Sequence, residues 1–159
     1  MIEATLVLVA PDGGQRGLIG EIISRFEKRG LKVGALKMVR IDKDFSKEHY
    51  ADHVGKDFYH GLEEFITSAP VVAMVIEGVN AIENVRKIVG TTEPKAAPLG
   101  TIRGDFAHVS YEYADKKKMS IRNLVHASGN KKDADREIGL WFSMEDLHSY
   151  EGANDKHVF

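Results

Sequence analysis

Cysteine is absent from the 159 residues, which excludes disulfides, thiolate zinc sites and a cysteine nucleophile. Proline is scarce, at four residues, and no Pro-, Ser- or Gly-rich linker or internal repeat divides the chain. An excess of one charge sign is missing too. The net charge of −2 gives no global pull toward nucleic acid or a membrane surface, so an anionic ligand must be held by a local cluster of donors. No apolar run, such as that at residues 6–11, approaches the roughly 20 residues a membrane helix needs. The N-terminus carries Glu3 and no basic stretch, unlike a secretory signal. These lacks point to a cytoplasmic, reducing location. Three motifs are missing as well: a Walker loop, a G-x-G-x-x-G fingerprint and a His-Glu-x-x-His zinc pair. Gly13, Gly14, Gly17 and Gly20 read as a turn and a helix start.

What is present is ordinary for a globular protein: 43% apolar and 29% charged residues, read as one domain over 1–159. Residues 5–10 are β-branched and apolar and read as a buried strand stopped by Pro11-Asp12-Gly13-Gly14. From Gly17 the period changes. Leu18, Ile19, Ile22, Ile23 and Phe26 share one helical stripe, with Gly30 as the C-terminal cap. Strands are expected at 32–41 and 71–76, and helices at 46–54, 58–67 and 80–89. Residues 91–123 lack periodicity and read as a long functional loop. A short strand at 124–127 and a helix marked by Ala134, Ile138 and Trp141 precede a polar tail. This order fits an α+β class: a ferredoxin-like sandwich with a mostly antiparallel four-stranded sheet and helices on one face. A doubly wound parallel sheet is the rival.

Two segments carry candidate chemistry. His126 follows the long loop, has Ser128 two residues on, and is followed by a helix bearing Glu137, which could fix the imidazole tautomer. Upstream, Gly100-Thr101-Ile102-Arg103-Gly104-Asp105 sets a guanidinium among glycines, either as an anion site or as a capped turn.

Taken together, residues 11–23, Glu48-His49-Tyr50, 69–75, 100–106, 123–128 and 136–142 resemble, in order, the nucleoside diphosphate kinases. The resemblance spans about residues 5–150. It implies transfer of a γ-phosphoryl group between nucleotides by a ping-pong route through phosphohistidine. Mg²⁺ would ride on the nucleotide phosphates, with no direct protein ligand. By similarity His126 is the nucleophile, Glu137 holds its other ring nitrogen, and Tyr50 sits on the phosphate path. Arg86, Thr92 and Arg103 would grip phosphates, Asn123 the ribose 3′-hydroxyl region, and Phe58 would stack on the base. The partners implied are nucleoside tri- and diphosphates and further copies of the chain, a hexamer in preference to a tetramer. No nucleic acid or membrane partner is expected.

Departures from the family pattern bear on rate. Ala10 stands where the family has a lysine before Pro-Asp, and Gly129 where an acidic residue follows the histidine. The stretch between Asp105 and Asn123 is longer than usual and includes Lys116, Lys117 and Lys118. One of these lysines is a candidate replacement for the missing side chain; the alternative is that all three form a solvated loop tip. The alternative function is a catalytically impaired, nucleotide-binding relative with an interaction or regulatory role.

Overall fold

The computed structural model describes residues 1–158. Strands β1 (Ile2–Val9), β2 (Lys32–Val39), β3 (Val71–Val79) and β4 (Val125–Ala127) form one sheet of order β2-β3-β1-β4. Every pairing in it is antiparallel. That excludes the doubly wound alternative, whose strands run parallel.

Between the strands lie α1 (Pro11–Gln15), α2 (Ile19–Lys28), α3 (Lys43–His49), α4 (Tyr59–Thr67) and α5 (Ala81–Val89). Then come α6 (Ile102–Phe106), α7 (Tyr111–Lys116), α8 (Lys131–Trp141) and α9 (Asp155–Val158). Helices cover both faces of the sheet rather than one, which corrects the sequence expectation. The reason is visible in β1: Val7 and Val9 enter a core with Phe26, Val85 and Ile102, while Leu6 and Leu8 enter another with Ile66 and Trp141. Alternate side chains point to opposite faces, so an unbroken apolar run needs cover on both.

The α2 stripe behaves as its spacing predicts. Ile22 and Phe26 are fully buried, and Arg25 pairs with Glu21 at 3.0 Å. Other boundaries moved. Pro11-Asp12-Gly13-Gly14 is not merely a stop but begins α1, with proline in the first turn where its missing N–H costs nothing. The helix expected at 46–54 is α3, which starts earlier because the Asp42 side chain accepts from Phe45 N at 2.8 Å.

The expected irregular stretch 91–123 contains α6, α7 and a 3-10 turn, Pro94–Ala96. Each helix is only a turn or so long, too short for a periodic apolar stripe to register. Side-chain caps set their starts: Thr101 Oγ1 accepts from Gly104 N at 3.0 Å, and Ser110 Oγ from Tyr113 N at 3.2 Å. Gly104 must lack a side chain, since a Cβ there would lie 2.0 Å from Pro98 O.

Candidate active site

His126 sits in the centre of the short edge strand β4, paired across to Leu8 of β1. Asp12 of α1 holds the entry to that strand. One of its carboxylate oxygens accepts from Leu124 N at 3.1 Å, where the backbone takes a left-handed φ of 73°. Burial raises the Asp12 pKa, against the lowering effect of this backbone N–H. The chain is thereby bent so that His126 reaches an open cleft of about 820 Å³, within the range for small-molecule sites.

Behind the imidazole, its Nε2 lies 3.0 Å from Glu137 Oε2 on α8, and Ser128 Oγ donates to the same oxygen at 2.6 Å. Burial alone would raise the Glu137 pKa. The hydrogen bonds and charge of His126, with help from Ser128 and His49, outweigh it and hold the carboxyl at about 2. An ionised carboxylate on Nε2 selects the tautomer with the proton there and leaves the Nδ1 lone pair free.

The expected site residues Ala10, Tyr50, Phe58, Arg86, Thr92, Arg103 and Asn123 line the same cleft as His126. Their distribution has physical meaning. Phe58 is 56% exposed, an aromatic face left at the rim just before α4. Burial pushes the Tyr50 hydroxyl pKa up, so it stays protonated as a donor. Arg86 is in the last turn of α5. Asn123 Nδ2 donates to Thr92 O at 2.9 Å, tying the loop after α5 to the approach to β4.

Arg103 is buried and held by the protein itself. Its guanidinium donates to Gly90 O at 2.9 Å, to Asn123 O at 3.2 Å and to Val125 O. Burial, then the nearby Arg86 charge, lowers its pKa to about 10, which leaves it cationic at neutral pH. The segment 100–105 is a capped helix turn, and its Arg103 lines the cleft. Gly90 is required where it stands, at φ 91°, because a Cβ would meet Thr101 Oγ1 at 2.6 Å.

The three loop lysines separate. Lys116 pairs with Glu112 at 2.7 Å, and Lys117 lies 5.9 Å above the Tyr113 ring, whereas Lys118 lines the cleft.

His49 lies within Glu48-His49-Tyr50 and has no role legible in the sequence. It is 2% exposed, and its ring stands edge-to-face with His126 at 5.0 Å between centroids. Metal-ligand atoms of His49, His126 and Glu137 lie within 4.8 Å of one another. Hydrogen bonds engage one nitrogen of each ring: Trp141 Nε1 donates to His49 Nδ1 at 3.0 Å, and His126 Nε2 pairs with Glu137. Burial, reinforced by the nearby His126, lowers the His49 pKa to about 3. Its stability effect has a definite sign. A folded pKa below the unfolded value of about 6.5 means that the unfolded chain binds more protons, so stability falls as pH drops below 6.5. Denaturant unfolding is expected to show a loss of about 2 kcal/mol between pH 8 and pH 5, and His49→Phe should remove that part of the slope.

Comparison with known proteins decides the family. A family profile described as nucleoside diphosphate kinase matches residues 3–147. The chain belongs to the nucleoside diphosphate kinase family. Among relatives bearing that name, the one from Pyrococcus furiosus is 49% identical over 97% of this chain and 91% of its own length. The one from Pyrococcus abyssi is 53% identical over 96% and 92%. A solved nucleoside diphosphate kinase from Borrelia burgdorferi, described as a transition-state mimic with bound vanadate and ADP, superposes with a TM-score of 0.96. Its identity is 44%, and the match covers 99% of this chain and 96% of that one. A halophilic nucleoside diphosphate kinase from Halobacterium salinarum in complex with CDP gives a TM-score of 0.88 at 41% identity, covering 100% and 99%. The antiparallel sheet is thus that of nucleoside diphosphate kinases, and the chain is a phosphotransferase by family.

Proposed function

We propose that this chain moves the γ-phosphoryl group of a nucleoside triphosphate to a nucleoside diphosphate through phosphohistidine at His126. The observation that carries the proposal is the Glu137 carboxylate, 3.0 Å from Nε2 of an imidazole that opens on the cleft. The Nδ1 lone pair forms the N–P bond as the bond from the γ-phosphorus to the bridging oxygen breaks, and that electron pair leaves with the nucleoside diphosphate. The ring keeps its Nε2 proton and becomes a cation beside Glu137. A second diphosphate, bound in the same place, then takes the group by the reverse of this step.

Arg86, Arg103 and Thr92 hold the phosphate oxygens, Tyr50 flanks their path, Asn123 meets the ribose 3′-hydroxyl region, and Phe58 stacks on the base. Stacking tolerates any base, which suits broad specificity. The cleft also fits magnesium carried by the nucleotide rather than by the protein. Its described lining offers two carboxylates, Asp57 and Asp115, against the cations Arg86, Arg103 and Lys118. When bound, the ion neutralises phosphate charge. A binding-only relative is disfavoured, because relatives about half identical over nearly their whole length are named as kinases.

Nucleoside tri- and diphosphates are the partners. A homo-oligomer is supported by the edge strand β2, which exposes Leu36 and Met38; a hexamer before a tetramer is what the family resemblance implies. No helix among the described residues is long and apolar enough to cross a membrane. We place the protein in the cytoplasm and treat residues 1–159 as one domain.

The test is incubation with labelled ATP and magnesium. An acid-labile, alkali-stable phosphate on His126 that a diphosphate acceptor chases off is expected; a protein that never gathers label refutes the proposal. Position 10 gives a second test. Ala10 lines the cleft without a charge. Ala10→Lys should raise the phosphorylation rate by about ten- to a hundredfold, the worth of one charge-assisted contact. Lys118→Ala should lower it by about tenfold, and by less in the Ala10→Lys background. Strictly additive effects in the double variant would show that Lys118 does not serve the same phosphates.

A further inference from the structure

Burying a polar N–H without a partner is costly, and such atoms in native proteins mark a use. His49 Nε2 is one of four side-chain atoms among the described residues that are buried without a hydrogen bond. Its chemical state follows from its surroundings. The indole N–H of Trp141 points at Nδ1, so Nδ1 must hold the lone pair. In the neutral ring the proton is then on Nε2. Burial and the neighbouring His126 keep the ring neutral far below working pH.

The position is built from three elements. His49 ends α3, His126 is on β4, and α8 contributes Glu137 and Trp141. Arg136, also on α8, clamps the end of α3 by donating to Glu48 O at 3.2 Å and His49 O at 3.0 Å. The helix that carries the general partner of His126 thus also fixes the ring packed against it. The interplanar angle between His49 and His126 is 84°.

We propose that His49 is a positioning residue for phosphoryl transfer: from the tautomer that Trp141 imposes, it braces the His126 ring with Nδ1 turned to the cleft. It also lends an uncharged N–H dipole to the His126–Glu137 pair. This rests on His126 being the nucleophile. Two consequences follow from the geometry. The brace opposes a half-turn of the His126 ring about Cβ–Cγ, which would put Cδ2 where Nδ1 stands and Cε1 where Nε2 stands, so that a carbon faced phosphorus and the contact with Glu137 was lost. The fixed neutrality of His49 also matters, since the His126 ring becomes cationic as the N–P bond forms. A second cation at 5.0 Å would oppose that change. Trp141, one ring further out, acts only by setting the tautomer.

The experiment is single-turnover phosphorylation by ATP in the full-length protein, with nucleotide affinity measured beside it. His49→Phe should slow phosphoenzyme formation by about 10- to 100-fold, the usual cost of losing a group that orients a reacting one. Nucleotide dissociation constants should stay within about twofold. His49→Gln keeps an acceptor for Trp141 and an N–H donor, and should recover the rate to within about fivefold of wild type. Equal losses in the Phe and Gln variants, or a loss of affinity parallel to the loss of rate, would mean a merely structural role and overturn the proposal. If wild type gathers no phosphate, the nucleophile assignment fails. If wild type is phosphorylated and His49→Phe keeps pace with it, only the role of His49 fails. Nitrogen-15 NMR of the wild-type protein at pH 7 needs no variant to fold. Nδ1 of His49 should be unprotonated and Nε2 protonated; the opposite tautomer also overturns the proposal.

Discussion

His126→Ala should end nucleotide-dependent phosphate exchange, with turnover falling by roughly 10⁴-fold or more, as expected when a covalent nucleophile is removed. The labelled protein that wild type forms should not appear. Nucleotide binding should persist to within about threefold, because Arg86, Arg103, Phe58 and Asn123 are untouched. The distinction is sharp. A variant that binds normally yet transfers nothing assigns His126 to the chemistry. A variant that still carries acid-labile phosphate would move the nucleophile elsewhere, to His53, the other imidazole that lines the cleft. His126 is part exposed, its side chain at 29%, so truncation leaves no sealed cavity and the fold should survive.

Glu137→Gln should cost about a hundred- to a thousandfold in the rate of phosphoenzyme formation with little change in nucleotide affinity. The residue is nearly isosteric, so packing is kept and charge alone is lost. In the resting protein one oxygen accepts from both Ser128 and His126. The amide oxygen of Gln can still accept from both donors, but it carries no charge to balance the positive ring formed with the N–P bond. The same substitution has a readable effect on stability. The Glu137 pKa is depressed from 4.5 to about 2. Its contribution is therefore present above pH 4.5 and is lost as pH falls toward 2, up to about 3 kcal/mol. Denaturant unfolding between pH 5 and pH 2.5 should show that loss in wild type and lack it in Glu137→Gln. Equal slopes would mean that the carboxylate is not specially stabilised by its donors.

Sequence patterns revealed the fold where apolar periodicity was long enough. The α2 stripe and the 71–76 strand core are there because Ile22, Phe26 and Ile76 pack together in one core while Val71 enters the other. The two-faced cover of the sheet was missed because an apolar run in β1 does not say which helices will reach which side. Within 91–123 the order comes from side-chain caps on Thr101 and Ser110 and from contacts distant in sequence, such as Tyr111 N to Glu93 Oε1 at 2.9 Å. Periodicity cannot report these. The cleft residues were found through family resemblance, and the structure brings them together. His49 was not found, although it adjoins Tyr50, because its significance rests on an unpartnered nitrogen and a tautomer. Neither is written in spacing.

The carbonyl cradle of Arg103 has a consequence for how anions are met. Gly90, Asn123 and Val125 come from three separate segments and converge on one guanidinium. Three of its five N–H groups are engaged there, which leaves two. Immobilising that cation is thus completed when the chain folds, and a phosphate bound as proposed above would find the charge already in place, with no flexible arm to be ordered. Arg103→Lys would keep the sign of the charge while dissolving the junction: a single ammonium on a mobile stem cannot hold three divergent carbonyls in one plane.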